Sequence, residues 1–297
     1  MLRRLALAIA AAALLAPLAK AQPADIAVFS SRLSWTMDDK RFGGWSGLEL
    51  SPDGSTFVMV SDRANILTGR IERDADGRIT GVQAGTIRPL MHTTGGPMPR
   101  FYDDSEGLAM AADGRIFVSF EAVHRVVVYE NTQVEMAREL PRVPNFDELQ
   151  NNSSLEALAV DEDGAIYIIP ERSGEMDKPF PVHRLRDEAW ETPYEIPRRG
   201  GFLVVGADIG PDGKFYILER ELGSLFGFSS RVRRFDMSET ELTGEVTLFT
   251  SSAGRHDNLE GMAVWRDADG RIRVTMVADD NFRFFQTTEF VEYIVPE

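Results

Sequence analysis

The chain has 297 residues, no cysteine, 43% hydrophobic and 27% charged residues. Without thiols, a disulfide scaffold, a cysteine nucleophile, a thiolate zinc site and a lipoprotein anchor are excluded, and the composition excludes wholesale disorder. Acids outnumber bases 47 to 32, for a net charge of −15, which excludes a general nucleic-acid binder because phosphate recognition needs a positive field.

Residues 1–21 read as a secretory signal. Arg3 and Arg4 form a positive start, Leu5 to Leu18 is an apolar run, and Ala19-Lys20-Ala21 is a small-x-small cleavage pattern. The run is about 14 residues, short of the ~20 that span a bilayer. The expectation is a mature chain from Gln22, periplasmic or secreted, with no stable membrane anchor after cleavage. Residues 22–297 are expected to form a single monomeric domain.

One phrase then recurs along the chain: a small-residue apolar strand, Asp-Gly, and a second apolar strand ending in acid. Its copies begin at Ser46, Glu106, Glu156, Val205 and Glu260, and their turn glycines are Gly54, Gly114, Gly164, Gly213 and Gly270. Asp-Gly between alternating apolar runs predicts a hairpin with a primed turn. The glycines lie 60, 50, 49 and 57 residues apart, and the two chain ends together supply another 59. Further strands, such as 125–130, 231–237 and 245–250, bring each period to about four. Four strands per period is the sequence form of an all-β propeller. Five blades are expected, with six as the alternative because the longer gaps have room for a degenerate unit. The last unit lacks an outer strand after Thr287–Val295, and the run Ile26–Trp35 is expected to supply it and close the ring. A short helical turn is expected near Asp147 to Asn151.

In such a ring the first strands line the channel. Their starts and the ends of the second strands meet at one mouth, opposite the Asp-Gly turns. Acids occupy both places: Glu106, Glu156 and Glu260 at the starts, and Asp62, Glu121, Glu171, Glu219, Asp279 and Asp280 at the ends. Clustered carboxylates either hold protons or hold a cation, and hard oxygens in a ring suit calcium. The expected metal ligands are Asp62, Glu106, Glu156, Glu171, Glu219, Glu260, Asp279 and Asn281. Arg63, Arg172 and Arg220, each directly after an acid, are expected to bind an anionic substrate. The alternative is a purely structural network in which the acids pair with those arginines. Asp53, Asp113, Asp163, Asp212 and Asp269 belong to the turns.

No HExxH, Walker loop, GxGxxG or EF-hand loop is present, and the sequence around Ser46 is not a nucleophile elbow. The candidate acid–base residues are His124, His256 and Glu121. The stretch His92–Tyr102 reads as a lid over the mouth or as a long crossover, and His183 as structural.

These residues resemble a known family, the phytase-like domain named for an esterase-like activity of phytase. The matching phrases start at Gly43, Ser61, Asp104, Leu155, Gly210, Asp257 and Ala278, and span about residues 40 to 295. The resemblance implies an exported, repeat-built domain whose shared acids form the active site; here they are Asp62, Glu106, Glu121, Glu156, Glu171, Glu219, Glu260 and Asp279. Val205 and Ser46 depart from the pattern, standing where the other units carry glutamate. The expected function is calcium-assisted hydrolysis of a small anionic ester or phosphoester. A lactonase-like propeller hydrolase and a non-catalytic binding module for small molecules or proteins remain alternatives.

Overall fold

The computed structural model describes residues 26–143, 155–223 and 227–296. The signal segment and the turn expected near Asp147 lie outside these residues. Among them every regular element is a strand, numbered β1 to β21 in chain order, and the strands form five sheets.

Each sheet is a blade. Its innermost strand is β2 (Trp45–Leu50), β7 (Ser105–Met110), β11 (Ala157–Val160), β15 (Leu203–Ile209) or β19 (Asn258–Arg266). Each pairs antiparallel with its second strand: β3 (Thr56–Ser61), β8 (Ile116–Phe120), β12 (Ile166–Ile169), β16 (Phe215–Leu222) or β20 (Ile272–Asp279). Five apolar clusters hold the ring, and each is shared by two neighbouring blades. Tyr216 and Leu218 of the fourth blade, for example, join Met276 and Tyr293 of the fifth. Cohesion therefore comes from burial between blades, and a lone blade would leave both faces wet.

The ring closes as the sequence predicts. Strand β1 (Val28–Ser34) pairs with β21 (Glu289–Val295), from Val28↔Ile294 to Ser34↔Glu289, as the outer strand of the fifth blade. The amides of Ile26 and Ala27 also donate to Leu248 O at 2.8 Å, hooking the segment to β18 (Leu242–Thr250) of the fourth blade. Among the described residues there is no sixth blade. The 60-residue gap holds the short strand β6 (Arg88–Pro89) and the 92–102 crossover, while the 57-residue gap is filled by the long strands β17 (Phe228–Met237) and β18.

The Asp-Gly turns differ from the primed turns expected. Ala111 N donates to Arg115 O and Gly114 N to Ala111 O, enclosing a three-residue loop, and the same pattern recurs at residues 161–165, 210–214 and 267–271. Only the glycines have positive φ, from +66° to +90°, whereas the preceding aspartates do not. This is a type I turn followed by a left-handed glycine. The aspartate side chain caps the returning amide, as Asp113 Oδ1 does for Arg115 N.

Glycines set how closely the inner strands approach. A Cβ on Gly107 would stand 2.5 Å from Glu156 O, and one on Gly47 2.5 Å from the Leu108 Cβ. The channel is consequently narrow. Leu48, Leu108, Leu158, Ala207 and Met262 close its middle to a volume of about 10 Å³ and leave a separate mouth at each end.

Candidate acidic site at the strand-start mouth

The bulged registers of the inner strands determine which residues reach the mouth. Val60 lies opposite Gly47, Leu218 opposite Gly206 and Val277 opposite Gly261. Two residues further along each second strand stand Asp62, Arg220 and Asp279, with Glu121 and Glu171 at the corresponding places of the second and third blades. Glu106, Glu156 and Glu260 enter from the inner strands.

The structure brings these groups into one electrostatic cluster. Glu106 feels Glu156, Glu260, Glu121 and Asp104; Glu156 feels Glu171, Glu121 and Glu260; Asp279 feels Glu260 and Asp62. Burial, reinforced by these neighbours, pushes Glu106 and Glu156 well above the usual carboxylate range, Asp62 up to about 7 and Asp279 up to about 9. Burial also raises Glu260, against the opposing pull of Arg220 and Asn258.

Arg220 is the buried cation of the cluster. Its Nη1 donates to Asn258 Oδ1 at 2.7 Å and to Glu260 Oε1, and its Nη2 donates to Glu171 Oε1 at 3.3 Å. It thus bridges the third and fifth blades across the place where Val205 stands. Instead of facing outward as an anion-binding group, it is committed to carboxylates. Arg63 and Arg172 are exposed at the rim. Arg63 lies 3.3 Å above the Phe282 ring, and Arg172 Nε is 3.4 Å from Glu171 Oε2.

Three expected site residues do not join the cluster. Glu219 points to the opposite face of β16, fully buried between Arg231 and Arg233, each of which donates to both its oxygens at 2.7–3.0 Å. Side chains alternate along a strand, so only one of Glu219 and Arg220 can face the mouth. His256 is buried against Tyr293, with Nε2 2.8 Å from the Tyr293 hydroxyl and the ring stacked on Phe29; burial, Arg255 and Arg32 push it down to about 4. The Asn281 side chain is exposed, and its contribution is a backbone amide donated to Asp279 Oδ1 at 2.7 Å. Asp280 is a loop clamp that accepts from Gly44 N, Phe282 N and the Thr288 hydroxyl. His124 is half-buried, three residues after Glu121. The 92–102 stretch packs beside the second blade, where Arg125 donates to Tyr102 O at 2.6 Å and lies over its ring.

Asp104 is a site residue that the acid count overlooked. With Glu106 and Glu121 it offers three carboxylate oxygens within 4.8 Å of one another. Burial and the neighbouring Asp103 raise the Asp104 carboxyl above its ordinary value. The signal was spacing: Asp104 stands two residues before Glu106, on the same side of an extended chain.

The donor set fits a hard cation. All three members of the trio are oxygen ligands, and Asp62 adds a buried Oδ1 that accepts no hydrogen bond from the described residues. Gly44 makes room for this oxygen, since a Cβ there would lie 2.1 Å from it.

Among solved structures, the chain is similar to an α-L-arabinofuranosidase from Podospora anserina in complex with cellotriose, with 8% identity, 91% of this chain and 98% of that chain covered, and a TM-score of 0.51. A protein of unknown function from Dyadobacter fermentans gives 13% identity, coverage of 86% and 78%, and a TM-score of 0.48. The calcium-binding protein regucalcin from Agrobacterium tumefaciens gives 9%, 90% and 96%, and 0.47. At such identities the likeness is one of fold. No curated protein matches the chain. The family comparison is more specific: it spans residues 40–282, every acid of the mouth included, and on it the chain belongs to the phytase-like family, described as esterase-like activity of phytase.

Proposed function

We propose that this is an exported, calcium-assisted hydrolase of small anionic esters or phosphoesters, working at the acidic mouth. The observation that carries the reading is the trio Asp104, Glu106 and Glu121, whose carboxylate oxygens come within 4.8 Å of one another. Clustered, desolvated carboxyls are costly unless a proton or a cation neutralises them. These three residues would hold the ion. When bound, calcium supplies a Lewis acid that polarises the substrate oxygen and makes water a better nucleophile.

The chain's own groups do the rest. Arg63 and Arg172, exposed at the rim, hold the substrate anion through paired N–H donors. Arg220 fixes Glu171 and Glu260 in place. Glu156, whose hold on its proton is strengthened by burial and by Glu171, is the group proposed to donate a proton to the leaving oxygen. An acidic mouth repels an anion, so substrate binding and cation binding are coupled.

Hydrolysis of an aryl phosphate and an aryl ester, measured with calcium and with EDTA, tests the reading. Turnover present with calcium and absent with EDTA is expected. Equal turnover in EDTA contradicts the metal. Calcium-linked stabilisation without turnover of any ester favours the non-catalytic binding module.

A further inference from the structure

The opposite mouth, at the Asp-Gly turns, opens into a cavity of about 750 Å³. This lies within the range of small-molecule sites, and its lining combines apolar residues with six acidic and two basic ones. Each inner strand contributes apolar residues to it: Leu50, Met110, Val160, Ile209, and Val264 with Trp265. The plug of Leu48, Leu108, Leu158, Ala207 and Met262 separates it from the acidic site.

Two of these acids, Glu49 and Asp208, stand on inner strands. Each is held by the inner strand of the next blade. Glu49 Oε1 accepts from Met110 N at 3.0 Å, and Asp208 Oδ2 accepts from Val264 N at 2.5 Å, while Asp208 Oδ1 takes Ile209 N at 2.7 Å. Among the described residues neither forms a salt bridge. The rim base Arg186 is already paired with Glu239, and Arg266 donates to the carbonyls of Gly270 and Pro211 while keeping its charge, so six acids face two bases around the cavity. Burial raises both carboxyls, Asp208 to about 7, and Asp208 adds its repulsion to Glu49. Asp161, Glu162 and Asp163 at the rim deepen the negative field.

We propose that this cavity is a second binding site, for an organic ammonium ion carrying an apolar body. Two carboxyls facing one cavity without a cationic partner call for a positive charge. For a hard metal ion, no three of these carboxylates come within ligating distance of one another among the described residues, as the trio at the other mouth does. An ammonium group needs only a few acceptors and can bury its carbon chain against Leu50, Val160 and Val264. The site does not depend on hydrolysis at the other mouth.

Calorimetric titration of the full-length protein with hexylamine hydrochloride, against hexanol as the neutral isostere, tests the proposal. The amine is expected to bind at least roughly tenfold more tightly than the alcohol. The preference should vanish in Glu49→Gln and Asp208→Asn and persist in Glu156→Gln/Glu260→Gln. Should the carboxyl variants fail to fold, Val160→Arg places a guanidinium in the cavity and is expected to abolish amine binding. Equal binding of amine and alcohol, no amine binding, or amine binding lost only in the Glu156/Glu260 variant would each overturn the assignment.

Discussion

Glu219 and Arg220 are adjacent, yet one cements the fourth blade and the other bridges the acidic mouth. Reading Leu218-Glu219-Arg220 by analogy with Ser61-Asp62-Arg63 places the acid in the site, but counting from the turn reverses the assignment. Seven residues after the turn glycine stand Glu121, Glu171 and Arg220. Strand parity was the decisive information. The spacing carries it in the second to fifth blades, whereas Asp62 stands eight residues after Gly54 because the first turn holds one more residue, with Ser51 N donating to Thr56 O. The burial of His256 was not, because it depends on Phe29 and Tyr293 arriving from opposite ends of the chain. That burial has a measurable consequence. The folded pKa is depressed to about 4, so the neutral ring contributes stability above about pH 6.5 that is lost as pH falls towards 4. His256→Gln is expected to cost about 1 kcal/mol at neutral pH through the Tyr293 hydrogen bond. The gap from wild type should narrow on acidification, and melting curves from about pH 7 down to about 4 check it; a constant gap contradicts the assignment.

The strands themselves were legible because Asp-Gly turns and alternating apolar runs are local signals. Their lateral spacing is set by residues that lack side chains. Gly107→Ala drives a Cβ towards the Glu156 backbone, where nothing flexible can yield. Overpacking of this kind costs about 1–3 kcal/mol, and a denaturation midpoint lowered without change in slope is the expected readout. The exposed turn position Gly114 has nothing within 4 Å, so space is not its constraint. Its φ of +90° makes Gly114→Ala costly through backbone strain instead. Ring closure is an element-level device that the missing strand of the last unit announced in the sequence. Deleting residues 1–34 removes β1 and bares the edge of β21. Self-association in size-exclusion chromatography and a lower melting temperature are expected, because an open edge invites pairing. An unchanged monomer of unchanged stability would mean that β1 closes nothing.

For the whole molecule, a ring built by repetition necessarily collects equivalent residues at a common rim, which is why the acidic mouth could be located before its geometry was known. The sequence could not show the apolar plug or the paired carboxyls behind it. Bulges between Leu259 and Gly261 and between Val204 and Gly206 shift which side chains face the channel, and local pattern does not reveal them. The collective charge predicts a pH profile. Asp62 and Asp279 bind protons more tightly in the folded than in the unfolded chain. Their stabilising contribution is full below about pH 4 and is lost as pH rises through about 7 and about 9. The chelated protein should therefore melt at falling temperature over that window, with calcium removing most of the slope.

The most direct test is the calcium-induced shift in melting temperature of the EDTA-stripped protein, compared with Asp104→Asn/Glu106→Gln. Calcium at roughly a hundred times its Kd adds about 2.7 kcal/mol, a rise of roughly 5 °C for a chain of this size. The account predicts this rise in the wild type and its loss in the double variant. A wild type indifferent to calcium, or a double variant that keeps the full shift, contradicts it.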